Sequence, residues 1–224
     1  MSTAATFEGF STEALAFYEG LEYDNSKAYW TAHKAAYDRH VKGAMELFLA
    51  SLPAGYQPFH VFRPNRDVRF AKDKSPYKTM HGATSETDGG SIRYSHLAAT
   101  GLLVAAGQYM MQIDQIARQR AVIDDDVRGA QLVKIIAALR KKGYEVGPGG
   151  SPALKTAPKG YPADHPRIEL LRWKGVTASV NITDVAVVTS PQVRTVALKF
   201  WKDSEPLIDW LDTNVGPTTL TYQR

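Results

Sequence analysis

Six cations stand within sixteen residues of this chain: Arg63, Arg66, Arg69, Lys72, Lys74 and Lys78, with only Asp67 and Asp73 as interspersed acids. Six of 27 basic and two of 23 acidic residues lie here, leaving 21 of each elsewhere, so this segment carries the whole net charge of +4. Guanidinium forks take carboxylate or phosphate in bidentate fashion, each charge-assisted bond contributing about 1.5–3 kcal/mol. Two or three such contacts hold a small ligand. Arginines spaced by three share a side only where the backbone turns, since an extended strand sends such neighbours to opposite faces. Pro64 and Asn65 supply that turn. The expectation is an anion site with Arg63, Arg66 and Arg69 as its hands and Lys74 and Lys78 assisting. The competing arrangement is an internal network, in which Arg66 and Arg69 clamp Asp67 and other acids to fix the fold.

For proton transfer the candidates are Asp73, Tyr77 and His96, because histidine titrates near neutrality and a tyrosine among cations has a more accessible phenolate. His96 also reads as a strand histidine satisfied by hydrogen bonds. Ser75-Pro-Tyr-Lys78 has the form S-x-x-K, but no S-D-N or K-T-G follows, the nearest being Lys155-Thr-Ala157, so Ser75 is expected to cap a helix. Phe62, Phe70 and Tyr77 interleave with the cations as stacking platforms do, which gives the alternative function, a nucleic-acid or protein interaction module. Six charges are a small footprint for duplex binding. With no cysteine in the chain, disulfides, thiol nucleophiles, Cys-ligated zinc and iron–sulfur clusters are excluded. His60, His81, His96 and His165 lack a ligand spacing with nearby acids, and His33 and His40 lack an acidic third ligand. Neither a metal nor a cofactor is expected.

From Arg63 to Tyr77 the sequence matches R-x-x-R-D-x-R-F-x-x-[DN]-K-x-x-Y without a departure, through Arg63, Arg66, Asp67, Arg69, Phe70, Asp73, Lys74 and Tyr77. In this the chain resembles an uncharacterised family, domain of unknown function 2461. Residues 7–10 and 25–30, Tyr94 with His96, Arg118, and residues 158–174 are similar to its other recurring stretches. The resemblance implies one intact domain over residues 1–224. It directs attention to Asp67, Tyr77, Tyr94, His96 and Arg118 beside the cations, and supplies no activity.

The elements that must position these residues follow from apolar spacing and punctuation. Ser11 or Thr12 caps a helix to about Leu21, with Phe10 set to staple onto Leu15. Asn25 or Ser26 caps a longer one to Ser51, whose core stripe is Tyr29, Trp30, His33, Tyr37, Val41, Met45, Phe48 and Leu49. Residues 59–62 form a strand leading into the basic segment, and residues 92–96 and 102–111 form an antiparallel pair. Residues 114–122 form a short helix. Asp124, Asp125 and Asp126 open the next, which ends at Lys142 before Gly143. The loop 147–166 is long for a passive connection and carries Lys155 and Lys159, so it reads either as a second contributor to an anion site, through Lys159, or as a solvated surface loop with basic residues. A helix at 165–173, a strand at 176–183 and helices at 190–201 and 204–211 complete the chain.

Helices and strands segregate along the sequence, which predicts an α+β fold with an antiparallel sheet flanked by N-terminal and C-terminal helices. Hydrophobic residues at 44% and charged residues at 22% fit a folded domain. There is no run of about 18 apolar residues, and residues 1–10 lack the basic start and apolar core of a signal peptide, so a cytoplasmic protein without a membrane partner is expected. The oligomeric state is left open.

Overall fold

The computed structural model describes residues 6–221; of the first ten residues weighed above, residues 1–5 lie outside the described residues. The chain is α+β. Its strands are β1 (His60–Val61), β2 (Met80–Glu86), β3 (Ile92–Ala98), β4 (Gly101–Gln108), β5 (Glu145–Gly147) and β6 (Val176–Ile182), joined in one sheet in the order β1-β2-β3-β4-β6-β5. His60 pairs antiparallel with Thr84, and Val146 with Ala178. Gly101 lies against the Ile182 carbonyl and Gly107 against that of Val176, so β4 and β6 also run in opposite directions. A Cβ at Gly101 would sit 2.2 Å from that oxygen, and its φ of +118° lies outside the range of ordinary L residues.

By compactness the chain divides into two units. One takes residues through Ser85 with Tyr94–Val104 and Asn181–Lys199; the other takes Glu86–Arg93, Ala105–Val180 and Phe200 onward.

In the first unit, helix α1 (Thr12–Tyr23) follows Ser11, whose hydroxyl makes no capping bond and meets His40 Nδ1 at 3.1 Å instead. Ser26 does cap, accepting from the Tyr29 amide at 3.1 Å to start α2 (Lys27–Ala36). The helical path continues through a π-helical turn, Tyr37–Lys42, into α3 (Gly43–Ala50). The wider turn rotates the face that follows it, so one apolar stripe does not serve both halves. Tyr37, Val41, Met45, Phe48 and Leu49 are buried as expected, but α2 buries nothing and His33 is exposed, stacked on Tyr29. Phe7, Phe10 and Phe48 pack with ring centroids 5.1–5.6 Å apart. Helix α7 (Val185–Val188) lies on this side, where the Phe10 amide donates to the Val188 carbonyl at 3.0 Å.

In the second unit, α4 (Ile113–Asp124) precedes α5 (Asp126–Lys141), whose first amides, Val127 and Arg128, donate to the Asp125 carboxylate at 3.1 and 2.8 Å. The acid run is thus a helix start. The helix expected over 165–173 shrinks to α6 (Ile168–Leu171), with Arg167 as its N-cap and Arg172 as its C-cap.

Helix α8 (Gln192–Asn214) replaces the two expected C-terminal helices and runs through Pro206. Proline removes one backbone bond, yet Phe200, Trp201, Leu207, Ile208 and Leu211 are all buried around it, and that apolar face outweighs the local break. No helix of the described residues is long and apolar enough to cross a membrane.

Candidate functional site

The basic segment occupies the connection from β1 to β2 in the first unit and folds as an irregular loop with a fixed base. Its arms are joined by Arg66 N–H to Pro76 O at 2.9 Å and Lys78 N–H to Pro64 O at 2.8 Å, with Asn65 opposite Tyr77. Asn25, between α1 and α2, accepts from the Tyr77 amide at 3.1 Å and donates to the Tyr77 carbonyl at 3.0 Å. Trp30 stacks on the Tyr77 ring, centroids 4.2 Å apart and planes 9° from parallel. Tyr77 is 7% exposed, so the residue considered for proton transfer spends its ring on anchoring.

Above this base the side chains are polar and largely exposed. The Arg69 guanidinium grips Asp67 through Nε at 2.9 and 3.2 Å and Nη2 at 2.7 Å, and Arg66 donates to Asp73. Asp73 also accepts from the Ser75 hydroxyl at 2.6 Å and the Ser75 amide at 2.9 Å. Those two bonds, then Arg66, hold the Asp73 carboxyl below the usual carboxylate range. Arg69, and beyond it Arg63, lower Asp67 in the same sense.

Ser75 therefore closes a side-chain turn onto Asp73, and no helix follows it, contrary to its expected capping role; Pro76 leads into the bridge at Tyr77 instead of a first helical turn. Lys74 Nζ donates to the Val68 carbonyl at 3.0 Å and Lys78 Nζ to the Arg63 carbonyl at 2.9 Å. Among the described residues no carboxylate forms an ion pair with Arg63, Lys72, Lys74 or Lys78. Burial, and then the Arg63 charge, push the Lys78 ammonium down.

Beside the loop lies a row of rings. Centroids are 5.5 Å apart from His60 to Phe62, 6.3 Å from Phe62 to Tyr94 and 5.5 Å from Tyr94 to His96. His96 Nδ1 is 3.1 Å from the Tyr94 hydroxyl. Burial pushes the His96 imidazole down to about 4, so it is neutral at pH 7. His81, on the neighbouring strand, meets the Tyr37 hydroxyl through Nδ1 at 3.1 Å, and its buried Nε2 has no hydrogen-bond partner among the described residues. Burial first, then Lys42 and Lys78, push His81 down to about 4.

Sequence reasoning missed Phe62 as part of this row and Asn25 as the clamp of the loop; an asparagine just before a helix reads first as a cap.

Two predicted site residues stand in the second unit. Arg118 donates from Nε to the Val215 carbonyl at 2.5 Å and from Nη2 to the Pro217 carbonyl at 2.6 Å, and pairs with Asp114 at 3.1 Å. Asp114 in turn accepts from Thr218 and Thr219, so Arg118 secures the segment after α8. Lys159 is exposed on its loop. A separate cleft of about 590 Å³ in the first unit is lined by Ser11, Arg39, His40, Glu46 and Leu47 among others. No group of three or more His, Asp or Glu residues that could hold a metal ion occurs among the described residues.

The fold and its cation loop define an α+β protein with a preformed basic surface. The chain belongs to a family of conserved hypothetical proteins, DUF2461, whose model it matches over residues 13–210. No curated protein and no solved structure matches it.

Proposed function

We propose that residues 63–78 recognise a small phosphate- or carboxylate-bearing molecule. One observation carries the reading: a loop tied down at its base by Asn25, Trp30 and two backbone bonds holds four cations with no carboxylate within ion-pair distance among the described residues. Like charges held close on a fixed backbone repel one another until a counter-charge arrives. Because backbone and Asn25 bonds already fix the base of the loop, binding has mainly side chains left to order. Arg63 is the principal hand, Lys78 its neighbour, and the Arg66–Asp73 and Arg69–Asp67 pairs hold the loop's shape.

The test is calorimetric titration with inorganic phosphate at constant ionic strength, with chloride as control. Arg63→Ala is expected to abolish the phosphate response while leaving the unliganded melting temperature unchanged. An unchanged phosphate response in Arg63→Ala removes that residue from the site.

A second reading, contact with a nucleic-acid strand, is favoured by Phe70 at the loop tip. Its ring is 97% exposed with the Arg69 guanidinium 6.0 Å from its centroid. A strand running along the phosphate backbone loses affinity steeply as salt rises, while a small ligand held by one or two cations loses little.

A further inference from the structure

We propose that the anion belongs to a planar aromatic molecule whose ring lies against Phe62 and Tyr94 while Arg63 and Lys78 hold its charge; this rests on the anion-binding reading above. Phe62 leaves β1 and donates its amide to the Gly82 carbonyl at 2.9 Å, which places it across from Gly82. A Cβ built on Gly82 would meet the Tyr94 hydroxyl at 2.9 Å and Phe62 Cδ2 at 3.3 Å. Phe62, Tyr94 and the bare side of Gly82 therefore share one face of the sheet, and any side chain at 82 would push the two rings apart.

These rings differ from the Phe7, Phe10 and Phe48 core. His60 is exposed, and Phe62, Tyr94 and His96 are half-buried. An aromatic side chain that keeps part of its face accessible beside polar groups is a surface for stacking, and ligand sites combine such apolar area with a few fixed charges.

The row also has a direction. Toward its His60 end, Lys78 Nζ lies 5.5 Å from the Phe62 centroid and donates to the carbonyl of Arg63, the residue that follows Phe62. At the other end stands His96, which carries no charge at neutral pH. A ligand with a ring and an anionic tail fits one way round, tail to the loop and ring along the row. An anion without a ring leaves the Phe62–Tyr94 surface uncovered.

The experiment titrates the intact chain by calorimetry with inorganic phosphate, phenyl phosphate and cyclohexyl phosphate at matched ionic strength. Stacking contributes about 1–3 kcal/mol per ring, so phenyl phosphate is expected to bind roughly five- to 150-fold tighter than the other two. Phe62→Leu is expected to bring phenyl phosphate down to the affinity of cyclohexyl phosphate. Equal binding of all three ligands overturns the aromatic inference and leaves the anion reading intact, as does cyclohexyl phosphate matching phenyl phosphate. Absence of any binding overturns both. The comparison among ligands is made on the unmutated chain, so it stands even where Phe62→Leu fails to fold.

Discussion

Arg118 in the second unit and the loop arginines Arg66 and Arg69 in the first do two different jobs, and what their nitrogens reach tells them apart. In the second unit Arg118 gives Nε and Nη2 to backbone carbonyls at Val215 and Pro217 and Nη1 to Asp114. Backbone oxygens are bound to the chain's own course, so this guanidinium is a fastener. In the first unit Arg69 meets Asp67 two residues away and Arg66 meets Asp73, on an exposed loop. Exposed pairs of this kind contribute little to stability. Their work is local, the shape of the loop, and on the proposed reading recognition falls to Arg63 and Lys78.

That contrast can be broken by substitution. The largest effect of a substitution is expected at the anchor of the loop: Tyr77→Ala removes a buried ring from Trp30 and should cost about 3 kcal/mol in urea unfolding, with loss of the phosphate response. A pure tip residue would show the second effect without the first.

Acid exceeds any single substitution, because two histidines act together. His81 and His96 have folded values of about 4, below the ordinary 6.5. The unfolded chain therefore takes up protons first as pH falls, and the contribution to stability is full above about 6.5 and lost down to about 4. The free energy from urea unfolding should decline over that window, by roughly 3 kcal/mol for each histidine at pH 4. His81→Asn should flatten its share; an unaltered pH profile in that variant would show that His81 is not buried and neutral.

Arg118→Ala should cost about 1–2 kcal/mol, since its side chain is partly exposed, while the phosphate response survives. The smallest effect is at Arg69→Ala, with no measurable change in the urea midpoint and a modest weakening of phosphate binding. A fold that fails on losing Arg69 would move this arginine into the company of Arg118.

Much of this arrangement was legible in the residues. The α+β class, the hairpin of β3 and β4, the Asp125 start of α5 and the place of the cation loop follow from periodicity, capping and charge. Strand β2 was not legible: Met80-His-Gly-Ala-Thr-Ser-Glu86 buries His81, Ala83 and Ser85, and small or polar residues give no apolar alternation to read. The two C-terminal helices merged because Pro206 is a local signal and the buried face of α8 is a tertiary one. Arg118, singled out by resemblance beside the cations, lies in the second unit. Family resemblance marks a residue without saying which backbone oxygens its nitrogens will reach.

Asn25 closes the account of the loop. Its side-chain amide offers Tyr77 one acceptor and one donor, the same pair that a neighbouring strand's peptide group would present. The amide thus acts as a one-residue strand, pairing with a backbone that has no true partner there. Aspartate, nearly identical in shape, has two acceptors and would face the Tyr77 carbonyl with charge. The requirement at this position is for hydrogen-bond complementarity more than for size, and it ties the junction of α1 and α2 to the backbone from which the cations are displayed.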